Sequence, residues 1–176
     1  MSGAAYVHPT AVIGENFKPA PFALIDDQVT IGEHVITGPG VHVRHGATIG
    51  DNVLIGDHVT VHDGAEIGAN CVIGDGAVAG RRPVGADDSG GDKPSGLRLG
   101  RGCVIGCNVV LAAGTVVGER CVIGDAVVVG SGCMISDDVT IGAAAVIGDG
   151  VRLDRGTRVA AAAVVASDGM GVEDGA

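Results

Sequence analysis

From Val43 to Gly80 the chain reads VRHGAT IGDNVL IGDHVT VHDGAE IGANCV IGDGAV AG. A branched aliphatic returns at every sixth residue: Val43, Ile49, Ile55, Val61, Ile67 and Ile73. A smaller inward residue follows four places later, at Ala47, Val53, Val59, Ala65, Cys71 and Ala77. Counting by six from Val7 to Ala79, and again from Leu99 to Val165, gives 25 positions, of which 22 are Ile, Leu or Val. A helix turns every 3.6 residues and cannot hold a six-residue spacing on one face. Very short strands joined by turns can, with the aliphatic and the residue two before it on the inward face. Three hexads close one triangular coil of about 18 residues, and successive coils stack at about 4.8 Å, the spacing of paired strands. The pattern predicts an all-β fold, a parallel β-solenoid of about eight coils spanning residues 1–166. Gly, Asp and Asn supply its turns, where positive φ is cheap.

The period breaks once. Residues 80–98, GRRPVGADDSGGDKPSGLR, are rich in Gly, Pro, Asp and Ser and read as one protruding loop. Leu99 resumes the count 20 residues after Ala79, a step that six does not divide. A loop that long inside a solenoid is expected to be functional. The tail from Ser167 to Ala176 carries no pattern and is expected to be disordered.

Composition narrows the function. The formal charge is -10, which argues against nucleic acid as a partner, since that association needs clustered positive charge. No apolar run approaches the ~20 residues of a membrane span. The first residues, MSGAAYVHPT, lack the basic and apolar regions of a signal peptide, so a cytoplasmic location is expected. Aromatics number only three, Tyr6, Phe17 and Phe22.

All six histidines precede the loop: His8, His34, His42, His45, His58 and His62. His34 and His58 occupy the fourth place of their hexads, a left-handed turn position that histidine tolerates. His62 is different, standing directly after an inward Val61 where fifteen hexads have glycine. One coil back, 18 residues at a time, come Arg44, Asp26 and His8. The next residues along the same edge are Asp27, His45, Asp63 and Arg81, and His42 lies on the strand just before it. One edge of the prism therefore gathers imidazoles, carboxylates and arginines beside the long loop.

The chain resembles the hexapeptide-repeat acyltransferases, whose signature is an aliphatic, a glycine, two variable residues, a small residue and one more. The opening VHPTAVIGEN and the segment PFALI are similar to the first coils of the UDP-N-acetylglucosamine acyltransferases. The resemblance covers residues 7–166, without the C-terminal helical domain of those enzymes. It implies a left-handed β-helix, a homotrimer, and a histidine general base that deprotonates an amino or hydroxy acceptor, with a nucleotide sugar as the expected acceptor. Imidazole suits that task because its pKa lies near operating pH. The expected catalytic residues are His62 as base, with Asp63 or Asp26 as the carboxylate that orients its ring, and His42 and His45 as alternatives. Asp26, Arg44, Arg81 and Arg82 are expected to bind the acceptor. The donor implied is acetyl-CoA, another acyl-CoA, or an acyl carrier protein thioester, and no metal. In the family the donor lies along the cleft between subunits. Ala112 and Gly130 are small enough to leave room there for a pantetheine arm.

The remaining charges fit this picture. Arg81, Arg82, Lys93, Arg98 and Arg101 surround the loop, and Arg152, Arg155 and Arg158 close the last coils. Arginine is well shaped for phosphate, and Arg152 and Arg155 are expected to help hold the donor. Cys71, Cys103, Cys121 and Cys133 take the small inward place and behave as small hydrophobes, while Cys107 falls at a turn. Two alternatives remain: a γ-class carbonic anhydrase, which needs three histidines around zinc, and a non-catalytic scaffold.

Overall fold

The structure, a computed structural model, describes residues 3–82 and 96–166. Most of the segment expected as a loop, and all of the expected disordered tail, lie outside the described residues. Within them there is no helix. Strands of mostly two residues pair in parallel into sheets of nine, eight and seven strands, which form the three faces of a prism. The first face runs from Tyr6–Val7 through His42–Val43 and Thr60–Val61 to Val164–Val165. The second begins at Val12–Ile13 and the third at Ile36–Thr37, with an isolated bridge from Lys18 to Ile36 below it. The molecule is a left-handed parallel β-helix of about eight turns.

Register follows the six-residue count. Val7, Ile25, Val43, Val61 and Ala79 stack in one column, 18 residues apart. Ile67 then pairs with Leu99 and Ala79 with Leu111, steps of 32. The interruption thus interposes 14 residues and leaves the stacking intact. Its boundaries are tighter than the sequence suggested. Gly80 and Arg81 continue the strand Val78–Arg81, and Arg98 already belongs to the strand Arg98–Leu99. The pairing slips between Ala79 and Arg81, so the chain bulges as it leaves the helix.

The core is a single file of Val, Ile, Leu, Ala and Cys, two inward residues per hexad, one on the strand and one just before it, most under 5% exposed. Thr37 and Thr115 are the buried polar residues among those described, and both are satisfied. The Thr37 hydroxyl accepts from the Ala20 N–H at 3.2 Å, and Thr115 donates to the Gly130 carbonyl at 2.7 Å.

Two kinds of glycine hold the corners. The fourth place of the hexad has positive φ, and His34 (56°) and His58 (54°) sit there beside Asn16, Asn52 and Asn70. The glycine directly after the inward aliphatic mostly has ordinary φ and is needed for space instead. A Cβ on Gly106 would lie 2.6 Å from the backbone nitrogen of Asp125 in the next coil. That aspartate reaches back to accept the Cys107 N–H at 2.8 Å. The corner joining the first and second faces lacks this constraint over its first coils. There His8, Asp26, Arg44 and His62 replace glycine and send side chains outward.

Candidate active site

The columns at that corner bring the charged residues together. Val43, Val61 and Ala79 are in register, so Arg44, His62 and Gly80 follow one another up the edge. The His62 N–H donates to the Ala79 carbonyl at 2.8 Å. Gly80, at φ 89°, closes over it; a Cβ there would meet the His62 Cβ at 3.4 Å.

Arg44 is the hub. Its Nη1 lies 3.2 Å from Nδ1 of His62, and its Nε lies 3.2 Å from Oδ1 of Asp63. A guanidinium has only donors, so Nδ1 of His62 accepts and the proton of the neutral ring sits on Nε2. Of the two carboxylates the sequence offers to orient the His62 ring, Asp63 pairs with Arg44 and Asp26 with His42. Burial, and then the Arg44 charge, hold the His62 pKa below its ordinary value.

His42 has the opposite arrangement. It stands on the outer side of the first face, with Nε2 2.9 Å from Oδ2 of Asp26. A carboxylate accepts, so Nε2 carries the proton and Nδ1 keeps a free lone pair. His45 forms a second such pair, Nδ1 to Oδ1 of Asp27 at 3.0 Å, on a more exposed part of the edge. That hydrogen bond draws the Asp27 carboxyl below its ordinary pKa. His8 bonds Thr10 through Nδ1 at 2.9 Å, and Tyr6 meets its ring edge-on.

Models of the bacterial transferase hexapeptide match residues 28–63 and 46–81, and a model of the hexapeptide repeat of succinyl-transferase matches residues 96–131. Together these span just over half of the chain. The chain belongs to the hexapeptide-repeat transferase family. No curated protein matches its sequence. Among solved structures, it is similar to the UDP-N-acetylglucosamine acyltransferase of Francisella novicida. The two are 24% identical with a TM-score of 0.58, over 91% of this chain and 62% of that enzyme. It is also similar to a hexapeptide transferase family protein of Anaplasma phagocytophilum, at 18% identity and a TM-score of 0.51, over 91% of this chain and 81% of that one. These likenesses describe the fold. This hexapeptide-repeat chain spans less than two thirds of the Francisella enzyme's length.

The residues expected to hold a donor divide into two groups. Ala112 and Gly130 line a hollow of about 200 Å³ with Arg81, Arg82, Ser131 and Asp149, directly above the ridge. Arg155 lies elsewhere, in a hollow with Val116 and Met134, and its guanidinium is engaged by Asp138 at 2.8 Å. Asp138 is held at a pKa of about 2 by Arg120 and Arg155. Arg152 stands on the second face, beside Met134. Ser131 and Asp149 were missed in the sequence. They continue the column Asp27, His45, Asp63 and Arg81 once the 14 interposed residues are allowed for, and that offset was the signal available. Among the described residues, no group of three or more His, Cys, Asp and Glu side chains is arranged to hold a metal ion, and no helix is long and apolar enough to cross a membrane.

Proposed function

We propose that this protein is a cytoplasmic acyltransferase that moves an acyl group from a coenzyme A or acyl carrier protein thioester to an amino or hydroxy group of a nucleotide sugar. The observation that carries the reading is the His42–Asp26 pair on a hexapeptide-transferase helix. Asp26 orients the ring and stabilises the imidazolium it becomes, while Nδ1 takes the proton of the acceptor. The acceptor heteroatom then bonds to the thioester carbon, the carbon–sulfur bond breaks, and the thiolate leaves. His62 ranks below His42 as the base because its Nδ1 lone pair is already committed to Arg44 and its Nε2 bears a proton. His45, paired with Asp27, is the second choice.

The assembly we infer is a homotrimer. Ile36, Leu54, Val72, Val104 and Val122 form an outward apolar column on the third face, each 41–46% exposed. Val78, Val110, Val128, Val146 and Val164 form a second on the later coils of the first face. The second face mixes Glu66, Arg98 and Arg152 into its column. Two apolar faces meeting at one corner suit a head-to-tail ring that buries both and leaves the charged face to solvent. The ridge of His42, Arg44 and His62 then borders the groove between copies.

The test is an acyl-transfer assay with acetyl, succinyl and longer acyl thioesters, on coenzyme A and on carrier protein, against UDP- and dTDP-linked amino sugars. Thioester cleavage that requires the sugar is expected. A protein that cleaves no thioester with any acceptor, and whose melting temperature no ligand raises, is a scaffold instead.

A further inference from the structure

The base reading leaves His62 without a task, although it is the residue that most clearly departs from the repeat. Its surroundings are unusually rich in donors. Arg44 spends one N–H on Nδ1 of His62 and one on Asp63, and keeps three more. Arg81 rises on the next coil, beyond Gly80, and pairs with no carboxylate among the described residues. Nε2–H of His62 completes the set. Of the carboxylates around this corner, Asp63 is bound to Arg44, Asp26 to His42 and Asp27 to His45, while Asp149 lines the hollow above with Arg81 and Arg82. With His42 neutral, the charges of Arg44 and Arg81 balance those of Asp63 and Asp26; Arg81 is the guanidinium here that is bound to no carboxylate among the described residues, and His62 keeps no free lone pair.

We propose that Arg44, His62 and Arg81 form an anion-binding corner that takes a phosphate group of a substrate, with Arg44 fixing His62 as an Nε2–H donor. The choice of a substrate phosphate rests on the acyltransferase reading; the donor geometry does not. A neutral ring is the form such a corner needs. A doubly protonated imidazole would lose the Arg44 hydrogen bond and face two guanidiniums. Arg44, Arg81 and His42 all work against protonation of His62, while Asp63 alone favours it. Arg44 is therefore a positioning residue, and His62 and Arg81 touch the anion.

Nitrogen NMR of the full chain labelled with ¹⁵N-histidine tests this directly. His62 is expected to show the Nε2–H tautomer and to stay neutral at a pH where an ordinary histidine is half protonated. Inorganic phosphate is expected to shift its ring signals. Arg81→Gln should weaken that binding about tenfold, the effect of losing one charge-assisted hydrogen bond. Arg44→Met should release the tautomer and Arg44→Lys restore it in part, while circular dichroism reports that both variants fold. Uridine diphosphate and adenosine 3′,5′-bisphosphate then separate the sources: tighter binding of the first assigns the corner to the acceptor, of the second to coenzyme A. An Nδ1–H tautomer, or ring signals that none of the three anions moves, overturns the proposal. A chain that binds phosphate here yet transfers no acyl group would keep this inference and lose the acyltransferase.

Discussion

Arg44 and Asp26 sit one coil apart and impose opposite states on the two histidines beside them. The guanidinium can only donate, so it consumes a lone pair on His62; the carboxylate can only accept, so it frees one on His42. A pH dependence follows for His62. The unfolded ring protonates near 6.5, while the folded ring resists, so the unfolded chain binds more protons in that region and stability rises with pH through it. Urea unfolding of wild type and His62→Gln at pH 5.5 and 7.5 should therefore differ in pH slope, with the wild type losing more on acidification. An equal slope would mean that the ring titrates normally. Thiol reactivity is a second check at this scale. Cys71, Cys103, Cys121 and Cys133 are buried, and Cys103, Cys121 and Cys133 donate to carbonyls 15 residues on, at 3.1, 3.2 and 3.0 Å. Cys107 is half-exposed. Ellman's reagent should find one thiol in the folded protein and five in urea. The sequence identified His62 as the misfit and located its neighbours by counting. It could not say which ring nitrogen meets which partner, because that depends on side-chain rotation, to which the period is blind.

The two-residue strand with its corner is the repeating element, and its glycines do different work. Gly106 has ordinary φ but no room: a Cβ would press on the backbone of Asp125. Gly132 has φ 66° and open space around it. Gly106→Ala should cost about 1–3 kcal/mol from overpacking, and weaken the Cys107–Asp125 hydrogen bond as well. Gly132→Ala should cost about 1 kcal/mol, from backbone strain alone. Chemical denaturation measures both, and the reverse order would contradict this account of the corners. From the sequence both kinds of glycine look like turn residues. The six-residue count shows how often glycine recurs but not how closely the next coil approaches. The same count placed Ile25, Val43 and Val61 in one column, because the register of a stacked coil is arithmetic. It lost the 14-residue offset after Arg81, where the chain leaves the helix and the spacing no longer reports neighbours.

As a whole, the molecule is a prism with one polar ridge, an apolar outward column on part of the first and third faces, and Glu66, Arg98 and Arg152 on the second. A homotrimer built on the apolar faces should dissociate when either column is charged. Sedimentation equilibrium of Val104→Glu and Val128→Glu, one on each face, is expected to give monomers that keep their β signal. Wild-type protein that sediments as a monomer would remove the groove between copies. The acyltransferase reading places the chemistry on the first face, where Asp26, His42, Arg44 and His62 converge. The most direct test is kcat/KM for thioester-dependent acyl transfer by His42→Ala beside wild type, with thermal melts in parallel. The account predicts a loss of at least about a hundredfold, the scale of general-base catalysis, at an unchanged melting temperature. Wild-type turnover by His42→Ala would contradict it.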